Sequence, residues 1–345
     1  MSSLSANPST SPSVNPYVNA SAFVGLAGLK ACVDLGGTKV AVSLANSTGM
    51  HAKRSEPTAK EGANDALALQ IIRMIGESCM QAGFKTTDID AVGVSSCGPF
   101  VLKDGMVELA APNICGGLAG TARGLPNNWQ SALLEAPLRT LFPTVRVEND
   151  GIGALEAERR WGALQNNGIP LPNCAYVTWS TGIGTGLCVD GHVLRGKNGN
   201  AGHAGHMFVS SNTTALCGCG NVGDLEALIA GNALPRRFAQ EFTANSWTDS
   251  AALFIAAKSN NTPSTTIIDA ICEDMGRALY NLIVTLDLER ISLGGSVFWH
   301  HRDYLLPKLQ AYLKGKLPAL TAGCELVPAG LGDQVGDWGA LALVA

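Results

Sequence analysis

Leu29–Thr58, LKACVDLGGTKVAVSLANSTGMHAKRSEPT, is the stretch on which the fold turns. Two apolar runs are separated by Gly36-Gly37-Thr38-Lys39 and followed by a turn, the pattern of a β-hairpin. Working outward, ANDALALQIIRMIGESCMQAGF sets Leu67, Ile71 and Ile75 four apart beside Ile72 and Cys79, which predicts an amphipathic helix ending at Gly83. IDAVGVSSCGPF then reads as a buried strand running into a Gly-Pro loop, and strand, helix, strand in this order predicts an α/β sheet.

Further on, PTVRVENDGIGALEAERRWG is a strand passing into a helix, with Asn149 and Asp150 at the junction. CAYVTWSTGIGTGLCVDGHVLRG is a second hairpin built like the first. Ile268, Ile271, Met275, Leu279, Leu282 and Leu286 mark a long buried helix before the strand RISLGGSV. The closing LGDQVGDWGALALVA reads as a helix that crosses back to the first half. The expected organisation is a disordered tail over residues 1–28, a first α/β domain over 29–147 joined by 331–345, and a second over 148–330.

Composition narrows the function. A chain of 345 residues has room for about two domains. Its net charge of −4, with charges scattered, gives no basic footprint for a nucleic acid or an anionic membrane. No run is long and apolar enough to span a bilayer, and the first 28 residues lack the charged start of a signal peptide. The ten cysteines are irregularly spaced and sit mostly in apolar runs, as reduced core cysteines of a cytoplasmic protein do.

Three glycine turns carry the chemistry. In DLGGTK, glycines let the backbone approach a bulky anion, Thr38 and Lys39 add a hydroxyl and a cation, and Asp34 is suited to orient hydrated Mg²⁺. STGIGTG (Ser180 to Gly186) and LGGSV (Leu293 to Val297) repeat the device at strand ends, so the three together favour a nucleotide cleft between two sheets. GIGTG itself lacks the helix and acid of a dinucleotide fingerprint, and GHVLRGKN ends in Asn where a P-loop needs a hydroxyl. Asp150 in VEND has two readings: a helix N-cap, or a general base for an attacking sugar hydroxyl with Asn149 bonding a neighbouring hydroxyl.

DLGGTK, VEND, STGIGTG, AGHAGH, CGCGNVGDLE and LGGSV stand in the order and approximate spacing of the ROK family, sugar kinases and related repressors, which this chain resembles from about Leu29 to Ala345. The resemblance implies two actin-like (ribonuclease H-like) α/β domains with Mg-ATP and a sugar meeting between them. It assigns the base to Asp150 and the phosphate turns to Gly36, Gly37 and Thr38, beside Asp34 and Lys39, and to Thr181 and Gly182. Adenosine-side glycines fall on Gly294 and Gly295, and sugar contacts on Asn113, Asn149, Asp150, His206 and Glu226.

The chain departs from the family pattern twice. His203 stands where the family has Glu, so a neutral imidazole with one donor and one acceptor replaces a carboxylate among the sugar contacts. Asp224 replaces the third cysteine of the family's structural zinc site, which leaves His206, Cys217, Cys219 and Asp224 as the ligand set; the other reading is a glycine-rich turn held without metal.

The expected activity is transfer of the ATP γ-phosphoryl to the 6-hydroxyl of a hexose, glucose first, then mannose, glucosamine, N-acetylglucosamine and N-acetylmannosamine. A sugar-responsive repressor is the second reading; 28 residues poor in Lys and Arg are too few for its helix-turn-helix. A non-catalytic sugar-binding protein is the third. The family suggests a homodimer whose partners are a sugar and ATP, with no nucleic acid and no membrane.

Overall fold

The structure is a computed structural model, and it describes residues 23, 25–119, 124–211 and 214–345. Strands β1 (Leu29–Leu35), β2 (Lys39–Asn46) and β3 (Gly49–Pro57) form an antiparallel meander. On the other side of β1, β4 (Ile89–Ser96) and β5 (Val145–Asn149) run parallel to it, giving the order β3-β2-β1-β4-β5.

A second sheet repeats the plan. Strands β6 (Cys174–Trp179), β7 (Ile183–Val189) and β8 (His192–Val193) are antiparallel, and β9 (Arg290–Gly294) and β10 (Glu325–Pro328) are parallel to β6. Its order, β8-β7-β6-β9-β10, matches the first sheet strand for strand. Both hairpins read from the sequence therefore occupy equivalent places.

Helix α1 (Ala66–Ala82) lays its buried stripe of Leu67, Ile71, Met74 and Ile75 against β2 and β3. It stops at Gly83, whose φ of 77° is the left-handed conformation that glycine adopts without steric cost. Helix α2 (Asp150–Trp161) leaves β5 and packs on β6 and β7, so it connects the two sheets. In the second half lie α3 (Leu225–Ile229), the buried α4 (Thr262–Leu286) and α5 (Ser296–Leu313). The chain then returns through α6 (Val335–Ala342), which packs on β1, β4 and α2. Its approach is close: a Cβ at Gly93 would lie 2.1 Å from the Ala340 carbonyl oxygen, so only glycine fits there.

Each sheet has its own apolar core, with Val33, Val42, Ile71 and Val94 in one and Val177, Trp179, Ile268, Met275 and Leu293 in the other. One buried carboxylate ties the parts together. Glu158 of α2 accepts from the amides of Ala163 (2.8 Å), Gly330 (2.9 Å) and Leu331 (2.8 Å) and from the Ser292 hydroxyl (3.0 Å). It thereby fixes α2 to β9 and to the segment entering α6.

Of the tail expected over residues 1–28, residues 1–22 and 24 lie outside the described residues. Phe23 sets its ring 5.0 Å from that of Trp338 in α6, and Leu26 packs on the same cluster. All ten cysteines are free thiols. Among the described residues no helix is long and apolar enough to cross a membrane.

Candidate active site

The β1–β2 turn is closed by the Gly36 amide, which donates to the Lys39 carbonyl at 2.8 Å. Thr58 braces it, donating from Oγ1 to the Gly36 carbonyl (2.8 Å) and from its amide to the Thr38 carbonyl (3.1 Å). Thr38 and Lys39 remain exposed. A Cβ at Gly37 would be 2.1 Å from Asn113 Nδ2, so the Asn113 amide lies against this turn. The loop carrying Asn113 is held by Asn127, which donates to the Lys60 and Ile114 carbonyls and accepts from the Gly116 and Trp129 amides. All four hydrogen bonds of a primary amide are used.

The other two turns adjoin each other because β6 and β9 are paired, Thr178 opposite Gly294. Ser180 donates its amide to the Gly182 carbonyl at 3.0 Å, and its hydroxyl lies 2.9 Å from that of Ser296, the first residue of α5. Thr181 is exposed at the tip. Gly295 has φ 83°, and a Cβ there would stand 2.5 Å from the Trp179 carbonyl. The N-terminus of α5, an 18-residue helix, opens beside these turns, an arrangement that favours phosphate. Among the described residues, no hydrogen bond or ion pair joins them to the Thr38–Lys39 turn on the first sheet.

Between the sheets stands Asp150, the first residue of α2. The capping position belongs to Asn149, whose Oδ1 accepts from the Gly151 amide at 3.0 Å; Asp150 Oδ1 accepts from the same amide at 2.8 Å. Burial, then the negative charge of Asp34, push the Asp150 pKa up to about 6, with Glu226 adding to the rise and the Gly151 amide opposing it. Asp34 is itself raised by burial and by Asp337, against the pull of Lys39 and Lys53. Burial, Asp150 and Asp34 also push the Cys97 thiol up to about 12, leaving it a poor nucleophile.

Opposite lies His203. Its Nδ1 is 3.0 Å from the Asn200 carbonyl oxygen, which accepts only, so Nδ1 carries the proton and Nε2 is an acceptor. A Cβ built on Gly98 would meet His203 Nε2 at 2.8 Å and Asn149 Nδ2 at 3.2 Å, so these two groups converge on one point. Burial holds the His203 pKa below its usual value, and the ring is neutral near pH 7. Glu226, in the first turn of α3, accepts the Ile183 amide on Oε2 at 2.9 Å and the Cys217 thiol on Oε1 at 3.7 Å. It is within electrostatic reach of Asp150, His203 and His206.

His206, Cys217, Cys219 and Asp224 bring four donor atoms within 4.8 Å of one another. His206 Nδ1 is 2.9 Å from Asp224 Oδ2, Cys219 Sγ 3.4 Å from the same oxygen, and Cys217 Sγ 3.7 Å from His206 Nδ1. Bonds of about 2.0–2.3 Å to tetrahedral zinc place donors roughly 3.3–3.8 Å apart, a range that the cluster's separations, from 2.9 Å to at most 4.8 Å, straddle. Asp224 also caps α3, accepting the Ala227 amide on Oδ1 at 2.9 Å, which leaves Oδ2 to face the cluster. Burial raises the Cys217 thiol, so a cation is what would make it a thiolate.

Gly36–Lys39, Thr181–Gly182 and Gly294–Gly295 lie on the three turns, with Asn113 against the first and Asp34 inside β1. Asn149, Asp150, His203 and Glu226 lie off the turns, and His206, Cys217, Cys219 and Asp224 form a cluster of their own. Asn127, Glu158 and Asn200 were missed. Their partners are distant in sequence or are backbone atoms, and neither leaves a motif.

Two sheets of one strand order, with glycine turns at strand ends and a carboxylate between them, define an actin-like ATPase fold. The chain belongs to the ROK family, whose model matches residues 30–345. It is 32% identical over 260 residues to a glucokinase of Pyrobaculum calidifontis, covering 74% of this chain and 79% of that protein. To an N-acetylmannosamine kinase of Haemophilus influenzae it is 26% identical over 316 residues, covering 89% and 92%. Among solved structures it is similar to the ROK hexokinase from Thermus thermophilus, with a TM-score of 0.67 at 29% identity, covering 92% and 97% of the two chains.

Proposed function

We propose that this chain is an ATP-dependent hexose kinase that phosphorylates the 6-hydroxyl, with glucose the first substrate and N-acetylmannosamine and the other amino and N-acetylated hexoses behind it. The observation that carries the reading is Asp150, a carboxylate between the two sheets with a pKa of about 6, suited to a base that must be ionised at neutral pH yet hold a proton. The names of the relatives support a sugar kinase and both sugar classes.

Asn149, His203, His206, Glu226 and Asn113 would hold the sugar hydroxyls, leaving the 6-hydroxyl beside Asp150. Asp150 takes its proton as the oxygen attacks the γ-phosphorus; the bond from that phosphorus to the β,γ-bridging oxygen breaks and ADP leaves. The work is positioning and charge neutralisation. The Gly36–Lys39 and Ser180–Gly182 turns would cradle the phosphates, with Gly294 and Gly295 on the adenosine side. Mg²⁺, when bound with the triphosphate, supplies positive charge, and Asp34 would hold one of its waters. Zn²⁺ on His206, Cys217, Cys219 and Asp224 would lock the His206 ring and the start of α3. The two lobes of the proposal are residues 29–147 with 331–345, and 148–330.

A panel of hexoses assayed with Mg-ATP tests the activity. Asp150→Ala should abolish ADP formation and keep sugar binding by calorimetry. A wild-type protein that turns over no hexose, amino sugar or N-acetylhexosamine overturns the proposal.

A further inference from the structure

Near the proposed sugar contacts, the side chain of Asn200 ties the loop before His203 to Phe100. Asn200 Oδ1 accepts the Phe100 amide at 2.8 Å, and Asn200 Nδ2 donates to the Phe100 carbonyl at 2.8 Å. Both backbone groups of Phe100 are thus paired with a residue 100 positions away. The main-chain carbonyl of the same Asn200 accepts His203 Nδ1–H at 3.0 Å. Phe100 follows Gly98 and Pro99, and Gly98 is the residue on which His203 Nε2 and Asn149 Nδ2 converge. Among the described residues no hydrogen bond reaches His203 Nε2.

We propose that Asn200 is a positioning residue for sugar recognition: its side chain clasps Phe100 while its carbonyl sets the His203 tautomer, so that Nε2 faces the Gly98–Asn149 point as a fixed acceptor. The inference rests on the sugar-kinase reading given above. The chemistry follows from the replaced residue. A glutamate at position 203 is an acceptor in any rotamer, whereas an imidazole is an acceptor at Nε2 only when Nδ1 holds the proton. Substituting the ring for the carboxylate therefore demands a second group that fixes the proton, and Asn200 is the group present. With a single lone pair, Nε2 recognises one sugar O–H or N–H donor, where a carboxylate would take two.

The test compares wild type, Asn200→Ala and Asn200→Asp in steady-state kinetics, glucose binding by calorimetry, amide exchange at Phe100 and the His203 tautomer by ¹H–¹⁵N NMR. Loss of two hydrogen bonds predicts that Asn200→Ala raises the sugar KM and Kd about tenfold or more while the ATP KM stays within about twofold. Phe100 exchange should accelerate, while the main-chain carbonyl at 200, which the variant keeps, should still hold the proton on Nδ1. Asn200→Asp keeps an acceptor for the Phe100 amide but sets a carboxylate oxygen against the Phe100 carbonyl, so its sugar KM should rise at least as far as that of Asn200→Ala. Equal rises in both KM values, an unchanged Phe100 amide in Asn200→Ala, or a wild-type His203 that carries its proton on Nε2 overturn the proposal. A wild type that binds glucose without phosphorylating any sugar counts against the kinase reading instead, and the clasp is then decided by Kd, exchange and tautomer.

Discussion

His206 Nδ1 lies 2.9 Å from Asp224 Oδ2, so one carboxylate both caps a helix and reaches an imidazole. With two thiols beside them, these residues form a four-donor cluster, which the proposed function sets beside the sugar. Protein grown with zinc should carry about one ion per chain by elemental analysis, with the ion lost in Cys217→Ser. Asp224→Cys, a softer donor, should bind zinc more tightly in competition with a chelator. Asp224→Ala should lose both the ion and the α3 cap, the cap alone costing about 1 kcal/mol. Wild type and Asp224→Cys both purified metal-free would sink the idea.

The pH dependence of turnover follows from Asp150. A base must be ionised to take a proton, so kcat/KM should fall as pH drops below about 6. Asp34 is the largest charge raising that pKa. Asp34→Asn should therefore move the acid limb to lower pH while reducing the maximal rate. An acid limb that stays in place in this variant would separate the two carboxylates.

The same shift predicts a trade between activity and stability. An acid raised from 3.8 to about 6 on folding costs nothing below the unfolded value, and the penalty grows to its full size as pH passes 6. Asp150→Asn removes it and keeps an oxygen for the Gly151 amide. Urea unfolding at pH 7.5 should find this variant more stable by up to about 3 kcal/mol, with no gain near pH 4. Equal stability at both pH values would show that the folded-state shift is absent.

Much of the architecture was legible because each piece is local. The hairpins at 29–46 and 174–189 announce themselves by apolar runs broken at Gly-Gly-Thr and Ser-Thr-Gly, and the stripe Leu67, Ile71, Ile75 fixes α1. The common strand order of the two sheets was not legible, since parallel pairing of β1 with β4 and of β6 with β9 joins segments whose contacts no local pattern encodes. Site positions such as Asn113, His206 and Glu226 came through family motifs, because a lone Asn or Glu has many uses. Glu158 and Asn200 looked like ordinary helix and loop residues; their farthest partners are backbone atoms 173 and 100 residues away.

Glu158 should prove decisive for folding. Its carboxylate is fully buried and accepts four hydrogen bonds. Glu158→Ala would orphan three buried or half-buried amides and a hydroxyl, at about 1–3 kcal/mol for each group left unpaired. Glu158→Gln turns an NH2 toward donors and should recover little. Thermal unfolding should show both variants severely destabilised; a Gln variant with wild-type stability would mean that charge and acceptor count do not matter there.

Gly98 sets the space in which His203 Nε2 and Asn149 Nδ2 converge. A methyl group there would stand 2.8 Å from His203 Nε2, so the ring would have to shift, and 3.2 Å from Asn149 Nδ2, which would have to give by a few tenths of an ångström. Gly98→Ala should therefore raise the sugar KM about ten- to a hundredfold through displacement of those two groups, with the ATP KM nearly unchanged. The cause can be isolated with a double-mutant cycle. If the methyl acts by displacing the imidazole, then His203→Ala should erase most of the added effect, and the double variant should match His203→Ala alone in sugar KM. Full additivity of the two changes would instead place the damage in the Gly98 backbone and remove His203 from the contact.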